Sequence, residues 1–285
     1  MIVTVYLRGL KKFLVALTAV GVVAMPASAQ STLEKMKTQG AVVGFGADSP
    51  WSVVNEDGSM GGALPDMDAA ILKEMGVRNI KGEFMEFGAM IPSLLSKRTD
   101  FNSSLLNITP ERCQAVIFAK PSSCGVETLI VNIERAGELK GYADITARNL
   151  KLALIPGGEP MTSEANKAGV PEANRVAFTD YVDAMKLLND GRVDAVPAAD
   201  ASAVDLMAKF GDPAKQKIVP LYDLIGCSAA SFRKDDTELR DAYNVAFDKL
   251  LVDGTVAKIM DKYKVGFALK YIGKASAETL CKSAK

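Results

Sequence analysis

Two successive cycles in which short apolar runs alternate with helix-period stretches constrain this chain more than any other feature of its sequence. Ala41 to Gly46 reads as a buried strand, and Pro65 to Met75 as a short helix opened by Pro65 and Asp66 and stopped at Gly76. A strand near Ile80 to Phe87 leads into a helix over Ala89 to Ser96 with Pro92 in its first turn. Further strands are expected at Ala115 to Ala119 and Val126 to Ile133. The polar stretch Glu134 to Asn149 then separates a second cycle: strand Leu150 to Ile155, the turn Pro156-Gly157-Gly158, and a helix ending near Gly169. Strand Arg175 to Phe178, helix Tyr181 to Asn189 and strand Val193 to Val196 follow. After strands at Lys217 to Tyr222 and Cys227 to Arg233, apolar residues at Leu239, Tyr243, Ala246, Phe247 and Leu250, then Val256, Ile259, Met260 and Tyr263, repeat with helical spacing. Alternation of this kind predicts α/β architecture with largely parallel sheets, and its recurrence predicts a second lobe.

The first 29 residues stand outside that pattern. Arg8, Lys11 and Lys12 precede an apolar run from Phe13 to Met25, then Pro26 and Ala27-Ser28-Ala29. This predicts a cleaved export signal over residues 1–29. The apolar run is roughly 13 residues, short of the ~20 that a spanning helix needs. The whole chain balances 34 basic against 34 acidic residues, and removal of the leader leaves about −3. No basic excess marks a nucleic-acid partner.

Export places the four cysteines in an oxidising compartment, where an even count favours disulfides. Three pairings are possible. The short separation of Cys113 and Cys124 favours that pair, leaving Cys281 to tie the chain end back to Cys227. The chain has no histidine, which excludes Ser-His-Asp and Cys-His nucleophiles and every histidine-ligated metal. It also lacks a GxGxxG turn or P-loop, so no cofactor is expected.

The most informative stretch is Phe87-Gly88-Ala89-Met90-Ile91-Pro92-Ser93-Leu94, followed by Asn107-Ile108-Thr109-Pro110-Glu111-Arg112. An arginine after a strand and a proline-marked turn is placed to fork two N–H donors onto a ligand carboxylate. Phe87 ends one expected strand, and Asp48 and Trp51 lie in the loop after another. Ligands of open α/β sheets sit outside strand carboxyl ends, which would bring these residues to one cleft.

With Gly44 to Trp51, Gly62 to Asp66 and Gly191-Arg192-Val193-Asp194-Ala195, these motifs make the chain resemble the extracytoplasmic solute-binding proteins of ABC importers, in the polar amino acid family. Phe87 to Pro92, Pro110 to Cys113, Ala168-Gly169-Val170-Pro171 and Leu280-Cys281 make it most similar to the ectoine/hydroxyectoine-binding branch. The resemblance implies a type II periplasmic binding fold with two crossovers, lobe one over residues 31–132 plus 223–285 and lobe two over 133–222. It implies a periplasmic monomer that closes on a small zwitterion and delivers it to an inner-membrane ABC permease.

Carried over by motif, Arg112 grips the ligand carboxylate, Asn107 adds a polar contact, Phe87 and Trp51 are aromatic walls, and Asp48 faces the cationic end. Glu159 and Met161 stand where relatives carry a small hydroxyl residue, and Asp200 is the nearest match, one position late, to an α-ammonium acid. Two alternatives use the same fold. One is a cyclohexadienyl or arogenate dehydratase-like enzyme with Glu159 as its acid; the other is a receptor presenting its ligand to a chemosensor.

Overall fold

A computed structural model describes residues 30–282. The expected export signal lies outside the described residues. The first sheet holds β1 (Ala41–Phe45), β4 (Ile80–Phe84), β5 (Phe101–Asn102), β6 (Ile117–Phe118) and β12 (Ser231–Phe232), in the order β4-β1-β5-β12-β6. A two-stranded ribbon, β2 (Val53–Val54) with β3 (Met60–Gly61), lies beside the turn after β1. The second sheet holds β7 (Ser123–Asn132), β8 (Leu152–Leu154), β9 (Arg175–Ala177), β10 (Ala195–Ala199) and β11 (Gln216–Ser228), in the order β11-β7-β10-β8-β9.

The sheets are mixed rather than largely parallel. β1 runs parallel to β4 and β5, and β8 runs parallel to β9 and β10. The antiparallel pairs come from the crossing segments: β7 and β11 lie back to back in opposite directions, and β12 enters the first sheet against β5 and β6. A chain that leaves one lobe and returns to it must traverse the connection in both senses, which pairs the two crossings antiparallel. The boundaries expected at Asn132 and Tyr222 fall at the end of β7 and inside β11, and both strands pair within the second sheet.

Several local expectations shift. The helix expected from Ala89 begins at Phe87, because pairing of β4 with β1 ends at Phe84 and Glu86 is the extended residue that precedes the helix. Pro92 therefore sits in the second turn, where it lacks the N–H that would bond to the Gly88 carbonyl. The strand expected over Ala115 to Ala119 is shortened by the helix Pro110–Ala115, whose start is capped by the Thr109 hydroxyl accepting from the Arg112 amide at 3.3 Å. The strand expected over Lys217 to Tyr222 runs on to Ser228 as β11, with a register shift between Leu221 and Ile225. The one expected over Cys227 to Arg233 is divided: Cys227 and Ser228 end β11, while Ser231–Phe232 form β12 in the first sheet. Helix Tyr181–Asn189 lies where its periodicity places it, capped by Asp180.

The cysteine pairing expected from sequence proximity is overturned. Cys113 bonds Cys281, and Cys124 bonds Cys227. The register of β7 against β11 sets Cys124 directly opposite Cys227, with Cα atoms 4.1 Å apart. Cys113 is on the helix Pro110–Ala115, against which the terminal helix Ala277–Lys282 packs.

Candidate ligand-binding cleft

Between the two sheets lies a small cavity of about 30 Å³. Asp48, Phe87 and Asn107 line it from the first lobe; Glu127, Glu159, Met161 and Tyr181 line it from the second. A wider hollow of about 650 Å³ shares Asp48 and Tyr181 with it.

Asp48 is set by a tight turn in which its carbonyl accepts from the amides of Trp51 and Ser52, both at 2.9 Å. Its buried carboxyl accepts a hydrogen bond from the Ser202 hydroxyl on the helix Asp200–Phe210, across the cleft. Burial pushes this carboxyl up to about 7; the Ser202 bond opposes the shift and the charge of Asp205 adds to it. Asn107 also spans the lobes: its Nδ2 donates to the Glu159 carbonyl at 2.6 Å while its Oδ1 accepts from Ser228 Oγ at 3.1 Å.

Arg112 is buried, with 8% exposure, and joins the lobes through its own fork. Nη1 donates to the Asn107 carbonyl and Nη2 to the Gly157 carbonyl, each at 2.7 Å. Burial lowers it to about 10, against the favourable charges of Glu159 and Glu111. A guanidinium carries five N–H donors, so these two bonds leave three further donors.

Three of the nominated residues are not on the cavity lining. Trp51 is 1% exposed within the hydrophobic core, because the turn that aims Asp48 folds back so that the Trp51 carbonyl accepts from the Leu64 amide at 2.9 Å. Arg112 stands behind Asn107 and Gly157 rather than on the lining. Asp200 turns onto the edge of β7, accepting from Val126 N at 3.3 Å and Ala201 N at 2.8 Å, while its neighbour Ala199 lines the cavity. Gly125 makes room for it, since a Cβ there would stand 2.6 Å from Asp200 Oδ1. Glu159 lines the cavity, yet its carboxylate accepts from Ser163 N at 3.1 Å in the first turn of the helix Met161–Lys167.

Sequence reasoning missed Glu127, Tyr181, Tyr142 and Ser202. Glu127 is buried on β7 and accepts from the Tyr142 hydroxyl at 3.2 Å. Burial pushes its carboxyl up to about 8, with the Tyr142 bond opposing and the charges of Asp48, Glu164 and Asp200 adding. A signal was present, since a lone acid inside the run Val126-Glu127-Thr128-Leu129-Ile130-Val131 has to be buried with a strand that is otherwise apolar. Tyr142 lies in the stretch read as polar connector, where the helix Tyr142–Ala147 buries it with Ile145.

Two α/β lobes joined by two crossing strands, with a small cavity lined from both sides, define a two-lobed periplasmic binding protein. Residues 41–266 match the bacterial extracellular solute-binding proteins, family 3, and the chain belongs to that family. A probable amino-acid ABC transporter periplasmic-binding protein of Sinorhizobium fredii is 29% identical over 223 residues, covering 75% of this chain and 74% of that one. The histidine-binding periplasmic protein of Salmonella typhimurium is 30% identical over 227 residues, covering 71% and 80%. Among solved structures, EhuB in complex with hydroxyectoine superimposes with a TM-score of 0.83 at 35% identity, covering 90% of this chain and all of that one. A mutant of ArgBP from T. maritima gives 0.73 at 27% identity, covering 82% and 99%. The chain is a solute-binding protein of the ABC amino-acid transporter type.

Proposed function

We propose that the protein captures a small zwitterion, an ectoine-like compatible solute or a polar amino acid, by closing its lobes over the cleft, and hands it to an ABC permease. The observation that carries this reading is the placement of acidic and basic groups at one interlobe cleft: the carboxyls of Asp48 and Glu127 on the lining, the guanidinium of Arg112 behind Asn107. The hydroxyectoine complex of EhuB, at 35% identity, supports an ectoine-like ligand. In this reading the remaining donors of Arg112 hold the ligand carboxylate, Asp48 takes the cationic end and Phe87 packs on the ligand body. The protein acts as a periplasmic monomer, and closure turns on β7 and β11.

The enzyme alternative nominated Glu159. Its carboxylate accepts from the Ser163 amide, a helix-capping contact, and this favours binding over turnover. Isothermal titration of the protein without its leader, against ectoine, hydroxyectoine, betaines and the standard amino acids, tests the proposal. A ligand should bind at micromolar affinity or tighter, about −8 kcal/mol. Absence of heat with every compound would refute it.

A further inference from the structure

The cleft holds more acid than a single cation at Asp48 requires. Asp48 enters from the turn after β1 in the first lobe, Glu127 from β7 in the second, and both line the same cavity. Both act on the Tyr181 phenol, which lines it too. Among the described residues neither carboxyl is in an ion pair. The hydrogen bonds they accept, from Ser202 and Tyr142, are each a single hydroxyl. A carboxylate has about four acceptor sites, so each retains capacity toward a ligand.

Aromatic surface, by contrast, is scarce. A fully alkylated ammonium has no N–H and is held by an aromatic cage. Here Trp51 is withdrawn into the core, Asn107 is an amide engaged with Glu159 and Ser228, and among the described residues only Phe87 and Tyr181 line this small cavity as rings, while Phe84 and Phe210 line the adjoining hollow. A quaternary cation would displace water from two buried carboxyls and give them no donor in return, which is the arrangement a hydrogen-bonding site rejects most strongly.

Resting on the zwitterion reading above, we infer that the cationic end of the ligand carries N–H donors, as an amidinium, guanidinium or primary ammonium does, and that Asp48 and Glu127 hold it jointly from the two lobes. Glu127 is then the residue that excludes betaines. Burial keeps both carboxyls high; Tyr181 and Glu159 line the cavity with them, and the other groups whose charge or hydrogen bond acts on them are Ser202, Tyr142, Glu164, Asp200 and Asp205, none of these a cation. A ligand cation draws both carboxyls toward their ionised forms, so binding near pH 7 releases protons.

Titration of wild type and Glu127→Gln with ectoine, L-arginine, L-lysine and glycine betaine, each in phosphate and in Tris at pH 7, tests this. For wild type, at least one N–H-bearing probe should bind about 100-fold more tightly than glycine betaine, with a binding enthalpy that differs between buffers by the protons released. Glu127→Gln should lose about tenfold or more for that probe, narrow its preference over betaine and release fewer protons. Unliganded melting temperatures confirm that the variant is folded; if it is not, Glu127→Asp, which keeps the charge, should retain both the preference and proton release. Betaine binding as tightly as the N–H probes would overturn the inference while leaving the zwitterion reading intact. So would an unchanged preference and proton release in a folded Glu127→Gln. Silence of wild type toward all probes would overturn both.

Discussion

Gly157 of the second lobe and Gly88 of the first meet backbone to backbone across the cleft. A Cβ on Gly157 would stand 2.7 Å from the Gly88 Cα, whereas a Cβ on Gly88 would meet nothing nearer than the Pro156 carbonyl oxygen, at 3.4 Å. Neither backbone can yield without separating the lobes. Gly157 also has φ +75°, a region that glycine alone enters freely. Gly157→Ala should therefore weaken ligand binding by about tenfold or more, since ~1.4 kcal/mol set against closure already costs that factor. Gly88→Ala should stay within about threefold of wild type on the same scale. Dissociation constants for both variants decide it, and equal affinities would show that the contact does not limit closure.

Arg112 supplies the second prediction. Its terminal nitrogens already tie Asn107 to Gly157, and among the described residues it joins no ion pair. A charge-assisted hydrogen bond to a desolvated carboxylate is worth about 1.5–3 kcal/mol. Arg112→Ala should raise the dissociation constant at least about tenfold. Arg112→Lys should also lose affinity, because an ammonium cannot reproduce the planar fork. Melting temperatures without ligand serve as the folding control, and three proteins that bind alike would remove Arg112 from the site.

Peptide mapping without reduction should recover Cys113 linked to Cys281 and Cys124 linked to Cys227, with no alkylated thiol. The bridges span 168 and 103 residues of chain. Removing the Cys124–Cys227 bridge by paired alanine substitution should cost about 2–5 kcal/mol of stability, the range found for native bridges of exported domains. Recovery of a peptide joining Cys113 to Cys124 would contradict the strand register itself.

Asp68 predicts the pH dependence of stability. It is fully buried in the first lobe and accepts from the Tyr243 hydroxyl at 2.6 Å. Burial pushes its carboxyl from 3.8 to about 7, outweighing the lowering effect of Ser103 and Tyr243. Between those two values the folded state keeps a proton that the unfolded chain has released. The stabilisation is thus complete at low pH and is lost as pH rises through about 7. The melting temperature should fall from pH 5 to pH 8, and Asp68→Asn should flatten part of that slope. An identical slope in the variant, measured by scanning calorimetry, would assign the effect elsewhere.

Much of the architecture was legible in the sequence because it is written in short-range patterns. The helix Tyr181–Asn189 follows from a 3.6-residue periodicity and an Asp180 cap, both read within one stretch of chain. Residues near a strand end with a useful side chain, Asp48, Phe87, Asn107 and Arg112, could be nominated because loops after strands line clefts in α/β folds. Pairings between distant segments could not. Cys124 faces Cys227 because of the β7–β11 register, and nothing near either cysteine records that register. Asp200 turns to the β7 edge while Ala199 faces the cavity, a difference set by where β10 ends and the next helix begins. Glu127 was missed although it is the lone acid of an apolar strand, because its place in the site depends on the fold bringing Asp48 and Tyr181 to the same space. Local periodicity determined which elements form; the identity of each residue's neighbour across the cleft was decided by tertiary packing, because burial, strand register and lobe closure depend on contacts between residues far apart in the chain.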